Sequence, residues 1–309
     1  MQINELLRIA GLAAAFVTCV MPASGQSQRF EKVSLHCHAL AGTEGSPNVG
    51  AVVTAGGALL VNPPGGESGD ALLDALKKLG PAPVRWAVYT DLGRELAGSP
   101  ALFSKQDILM LSSADSDAAR KSLAPGGGSP LRLVFERQLR LFPENLEIRV
   151  FAPARKWHQG GDIAVFVPAE KVLMVGDIYS PGSLPDLESE TADASPLAWL
   201  EALKQVIETV PLLKSAMPQP KTAPEKPGEA PKTLEELVIA IPAVGQRSNL
   251  MEMKDLLATA QKLRAEVARA VSQGRPRASF LDSPAFGPFR SLANLESFAG
   301  RLYGELQRR

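Results

Sequence analysis

Apolar residues in this chain fall mostly in short uninterrupted runs, which is the pattern of strands buried on both faces. Val33 to Leu40 is predicted as one strand and Val49 to Thr54 as a second. Gly56-Gly57 then reads as a hairpin turn into a third strand at Ala58 to Asn62. Asp70 to Leu79 changes period: Leu72, Leu73, Leu76 and Leu79 share one side of a predicted helix. Val84 to Thr90 and Asp107 to Ser112 return to strand. The middle of the chain predicts strands at Arg132 to Phe135, Leu139 to Phe142, Leu146 to Phe151, Asp162 to Val167 and Val172 to Val175. Pro168 to Lys171 forms the turn between the last two. Ser195 followed by Pro196 is a helix start, and that helix is expected to run to about Glu208. A strand at Val238 to Ile241 precedes a long helix from Leu250 to Val271, which Gly274 and Pro276 end. A last helix is expected from Leu295 to about Leu306. Layered sheets with helices outside are the architecture this order implies.

Composition refines the picture only in places. The chain has 309 residues, a formal net charge of +0 and 45% hydrophobic residues, as in an ordinary globular protein. Balanced charge gives no electrostatic footprint for nucleic acid. Aromatic residues make up 6%, too few to suggest a stacking platform for single strands. Arg8, the apolar run Ile9 to Val20 and the small residues to Gly25 form a secretory leader pattern, with cleavage expected after Gly25. That run is too short for a permanent membrane anchor, so the protein is expected to be exported, periplasmic or secreted. Residues 26–309 then form a single domain. A Pro/Lys/Glu-rich insertion at about 214–233 interrupts it, because such a composition cannot bury enough apolar surface to fold. Cys19 lies in the leader, so Cys37 alone remains and no internal disulfide is possible.

Several segments together resemble the metallo-β-lactamase family. Asn48-Val49-Gly50, Val52-Val53-Thr54 and Leu59-Leu60-Val61-Asn62 resemble its opening hairpin. His158-Gln159-Gly160-Gly161-Asp162 is similar to its His-Thr-x-Gly-Asp segment, and Val172 to Asp177 to its turn carrying a bridging aspartate. Leu302-Tyr303-Gly304-Glu305-Leu306 resembles a tail common in exported relatives, including a group associated with quinoprotein oxidation systems. The resemblance implies an α/β (α+β) fold, an αββα sandwich of two mixed β-sheets flanked by helices. It also implies a groove holding two metal ions, usually zinc.

Against that pattern, most of the ligand positions are replaced. The family's Thr-His-x-His-x-Asp-His reads here Thr90-Asp91-Leu92-Gly93-Arg94-Glu95-Leu96, so Gly93 and Leu96 stand at histidine positions and Glu95 at the aspartate. Asn62 replaces an aspartate, and Val244 stands where the late histidine would be. His158 and Asp177 alone match. One imidazole and one carboxylate cannot close a zinc site, although Asp91 and Glu95 would add oxygens of the kind that harder metals accept. Arg94 beside Asp91 and Glu95 is a candidate to replace the lost metal charge. His158 has a metal-free alternative, a hydrogen bond to Asp177. His36 and His38 share one face of the first predicted strand, so a mononuclear site from His36, His38 and His158 is a further alternative. Cys37 between them is either a buried apolar residue or a thiol activated by its neighbours. The expectation is a binding or accessory protein of this fold, a pseudoenzyme, with an unknown small-molecule or protein ligand and no cofactor. The alternatives are one divalent metal, zinc, and hydrolysis of an ester, thioester or lactam-like bond.

Overall fold

The structure is a computed structural model that describes residues 29–42, 46–64, 66–93, 107–123, 131–158, 161–188, 193–213 and 233–309. Thirteen strands among these form two sheets. The first holds β1 (Glu31–Lys32), β2 (Cys37–Leu40), β3 (Val49–Thr54), β4 (Gly57–Val61), β5 (Val84–Val88), β6 (Leu109–Ser113) and β7 (Arg132–Phe135), in that spatial order. β1 to β4 pair antiparallel, and β4 to β7 pair parallel. The second holds β8 (Gln138–Leu141), β9 (Ile148–Phe151), β10 (Ala164–Val167), β11 (Val172–Gly176), β12 (Ile239–Pro242) and β13 (Ser248–Asn249), also in chain order from edge to edge. Only β11 and β12 pair parallel there. Both sheets are therefore mixed, as expected.

Alternation along each strand explains why the apolar runs are continuous. In β4, Leu59 and Val61 enter the core between the sheets, while Leu60 packs on the outer side with Leu72 and Leu76. The latter two belong to α1 (Gly66–Lys77). In β11, Val172 and Met174 face the inter-sheet core, whereas Leu173 and Val175 face the opposite helical layer. Side chains on a strand point alternately to opposite faces. A strand with a layer on each side must therefore be apolar at every position.

The outer layer on the second sheet is built by α3 (Pro196–Thr209), α5 (Leu250–Ser272) and α6 (Leu295–Gln307), which bury Trp199, Leu203, Leu263 and Phe298 against it. Two further helices were not anticipated. One is α2 (Ala114–Leu123), a polar helix in which Asp117 pairs with Arg120 and Lys121. The other is the single turn α4 (Leu234–Leu237), started by a capping box between Thr233 and Glu236. The expected strand from Val33 also differs: residues 34–36 bend, so β2 begins only at Cys37. The predicted leader and residues 214–232 of the predicted insertion lie outside the described residues. No helix among the described residues is long and apolar enough to cross a membrane.

Candidate functional site

Three strand ends meet at one edge of the sandwich. Asn62 follows β4 with φ 53°, a left-handed conformation that asparagine tolerates better than most residues. Its buried amide faces Thr90, just beyond β5. Thr90 N donates to Asn62 Oδ1 at 2.8 Å, and Asn62 Nδ2 donates to Thr90 Oγ1 at 3.0 Å. Thr90 O in turn accepts from Ile163 N at 2.7 Å, which ties the first sheet to the second. Gly176 ends β11 against the same threonine, with φ 70°. A Cβ on Gly176 would lie 2.4 Å from Thr90 Cβ, so only glycine fits there. These contacts fix where the next residues, Asp91 and Asp177, leave the sheets.

Asp91, Gly93, His158, Asp177 and Val244 line one cavity of about 420 Å³. Chain segments far apart in sequence thus bring five of the predicted positions together. Trp157 and Trp199 supply aromatic wall. Trp199 is held by its Nε1–H, which donates to Ile178 O at 2.9 Å, and Trp157 O accepts from Ser195 N at 2.7 Å at the start of α3. His158 is buried, its ring 4.2 Å from that of Trp157, and its Nε2 lies 3.4 Å from Asp162 Oδ1. His158 thus has a long contact with Asp162, four residues on, and shares the cavity with Asp177. Arg94, Glu95 and Leu96 lie outside the described residues.

No family model matches the sequence, and no curated protein sequence does. Solved structures do match. A metallo-beta-lactamase from Pontibacter korlensis aligns with a TM-score of 0.58 at 17% identity, covering 75% of this chain and 98% of that one. DIM-1 metallo-beta-lactamase gives 0.57 at 18% identity, covering 75% and 96%. The mono-zinc form of FIM-1 from Pseudomonas aeruginosa gives 0.54 at 19% identity, covering 75% and 94%. This chain has the metallo-β-lactamase fold.

Within the metallo-β-lactamase fold, the spare histidines do not reach the cavity. His36 sits in the bend before β2, where its backbone N–H donates to Glu170 Oε2 at 3.0 Å and its Nδ1 meets Glu170 Oε1. Ser34 Oγ donates to the same carboxylate. His38 turns its Nδ1 to His36 O at 3.2 Å. Glu170 precedes β11 and Asp177 follows it, so the two ends are separated by roughly 20 Å of extended chain. A site combining His36 and His38 with His158 is thus not formed, because the histidines cluster at the opposite end of that strand. The activated thiol is corrected too: burial, then the Glu170 carboxylate, pushes the Cys37 thiol well above its ordinary range. Glu170 itself lies below the usual carboxylate range. Burial alone would raise it, but the hydrogen bonds from Ser34 and His36 outweigh that.

Among the described residues, no group of three or more His, Cys, Asp or Glu side chains is placed to hold a metal ion. Sequence reasoning missed Trp157, Trp199 and Asp162 as parts of the site. Trp157 and Asp162 flank His158 in the very segment that carries the resemblance, which was the available signal. Trp199 gave none, since a tryptophan on an amphipathic helix reads as core.

Proposed function

We propose that this chain is an exported binding or accessory protein built on the metallo-β-lactamase fold, and that it works without a two-zinc centre. The observation that carries the reading is what fills the former ligand positions. Gly93 has no side chain, and Val244 offers only methyls to the cavity. Asn62 commits both side-chain atoms to Thr90. A catalytic zinc takes three protein ligands and an open position. Two ions therefore need more donors than His158, Asp91, Asp177 and Asp186 supply among the described residues, and these residues do not fit that group. What is left is a cavity with tryptophan walls and polar points, of the size small-molecule sites have.

A second reading is favoured by one observation: His158, Asp91 and Asp177 line the same cavity. They would be the start of a mononuclear site, with Glu95 as a further oxygen ligand, in a hydrolase of an ester, thioester or lactam-like bond. The two readings separate on turnover. Purified protein is assayed with chromogenic ester, thioester and β-lactam substrates after EDTA treatment and after zinc addition. The proposal expects no zinc-dependent turnover. Turnover that EDTA abolishes and zinc restores overturns it in favour of the hydrolase. Export rests on the leader pattern, and an intact mass of purified periplasmic or secreted protein beginning at Gln26 is the expected result.

A further inference from the structure

A second hollow of about 520 Å³ lies on the far side of Val244 from the His158 cavity. Val244 lines both. It is 51% exposed, an apolar side chain standing at the junction of two concave surfaces. The loop that carries it is pinned on both sides. Ala243 N donates to Gly176 O at 3.0 Å, and Asn48 N donates to Ala243 O at 2.7 Å. Asn48 Nδ2 also bonds Pro242 O at 2.9 Å and Gly245 O at 2.8 Å. The backbone therefore holds Val244 as a fixed saddle between the hollows.

The second hollow opens between the β1–β2 edge of one sheet and the β12–β13 edge of the other. Its floor is Ala39, Ile241 and Ala243, all buried and apolar. Asn48 lies in its wall, but its amide protons are spent on the loop and its Oδ1 accepts from Gly42 N at 2.8 Å. The Glu31–Arg247 ion pair contributes the charged part of the lining. An occupant thus meets apolar surface along the floor, with Ser46, Gln246 and the Glu31–Arg247 pair as its polar lining.

We infer that the two hollows form one elongated site for an amphipathic small molecule, whose polar head sits beside His158 and whose apolar tail crosses Val244 into the second hollow. The inference rests on the binding reading proposed above and adds the shape and chemistry of the ligand. Tail contact with the saddle and floor removes apolar surface from water on both sides, so affinity depends on tail length.

The test uses straight-chain N-acyl glycinamides of two to twelve carbons, titrated calorimetrically into the mature protein with EDTA present. Affinity is expected to tighten about two- to fourfold per methylene over the middle of the series, then level off when the hollow is full. Val244→Trp blocks the saddle, and Ala41→Trp fills the second hollow from its exposed rim. In each variant the longest members are expected to bind no tighter than the shortest. The slope is read within one variant, so a general loss of affinity does not imitate the effect. Equal affinity across the series, no binding by any member, or an unchanged slope in both variants overturns the inference. Zinc-restored turnover in the separate assay would overturn the metal-free reading and leave the tail-length result standing.

Discussion

Replacing Asn62 by aspartate restores the carboxylate that the family resemblance expects at this strand end, and the structure says what that costs. Asn62 is 2% exposed. Its Oδ1 accepts from Thr90 N, and its Nδ2 donates to Thr90 Oγ1. Aspartate keeps the first bond and strengthens it. It loses the second donor, although the Thr90 hydroxyl can turn to donate instead. The remaining penalty is a charge buried close to Asp91, also buried. Burial and a like charge each raise a carboxyl pKa, and each unit corresponds to about 1.4 kcal/mol. With the amide bond offsetting part, Asn62→Asp is expected to cost about 1–3 kcal/mol at neutral pH. The sign follows from linkage: a carboxyl raised in the folded state leaves stability intact below its unfolded value and removes it as pH rises. Thermal unfolding followed by circular dichroism should therefore show little difference from wild type near pH 4. Near pH 7 it should show a drop of roughly 3–8 °C. Equal stability of variant and wild type at pH 7, or the same loss at both pH values, would refute the reasoning.

Gly176→Ala is expected to destabilise by about 2–5 kcal/mol in urea titrations, because the new Cβ meets Thr90 in a left-handed backbone. A cost below about 1 kcal/mol would mean that the strand ends are not packed as described. Glu170→Gln weakens the hydrogen bonds from Ser34 and His36 and should lose about 1–3 kcal/mol at pH 7. Because the Glu170 carboxyl lies below its ordinary range, that difference should shrink as pH falls through acid values, and a difference independent of pH would count against the clamp. Trp157 Nε1 is buried without a hydrogen-bond partner among the described residues. Trp157→Phe removes the unmet donor and is expected to cost less than about 1 kcal/mol in the same titrations, against 3–5 for deleting a packed aromatic. A loss in that upper range would show that the indole N–H is used.

Much of the fold was legible because the sandwich makes a simple demand on its strands. Leu59-Leu60-Val61 and Val172 to Val175 must be apolar throughout to serve two cores, and they are. The long helix from Leu250 carries its buried stripe in plain view. The misses have local causes. Strand pattern continues through Leu35, yet Glu170, distant in sequence, draws in the Ser34 hydroxyl and the His36 ring and bends the chain there. α2 is mostly polar and gives little periodicity, and its acidic first turn and basic last turn were the cues passed over. At the site, the sequence offered the residue types and the resemblance offered their order. Which of them share a cavity was a property of strand ends that only packing reveals. His36 and His38 looked suitable as ligands because spacing says nothing about which end of a sheet a residue occupies. Asn62 looked like a mere loss, whereas its amide is the piece that binds Thr90.

The central claim is that the cavity at the strand ends works without two zinc ions. Calorimetric titration of zinc into EDTA-stripped, desalted purified protein tests it most directly, with the bound metal counted by mass spectrometry. The account predicts no saturable uptake of two equivalents per chain, and no change in that result for His158→Ala or Asp177→Ala. Two equivalents bound at submicromolar affinity, and lost in those two variants, would contradict it.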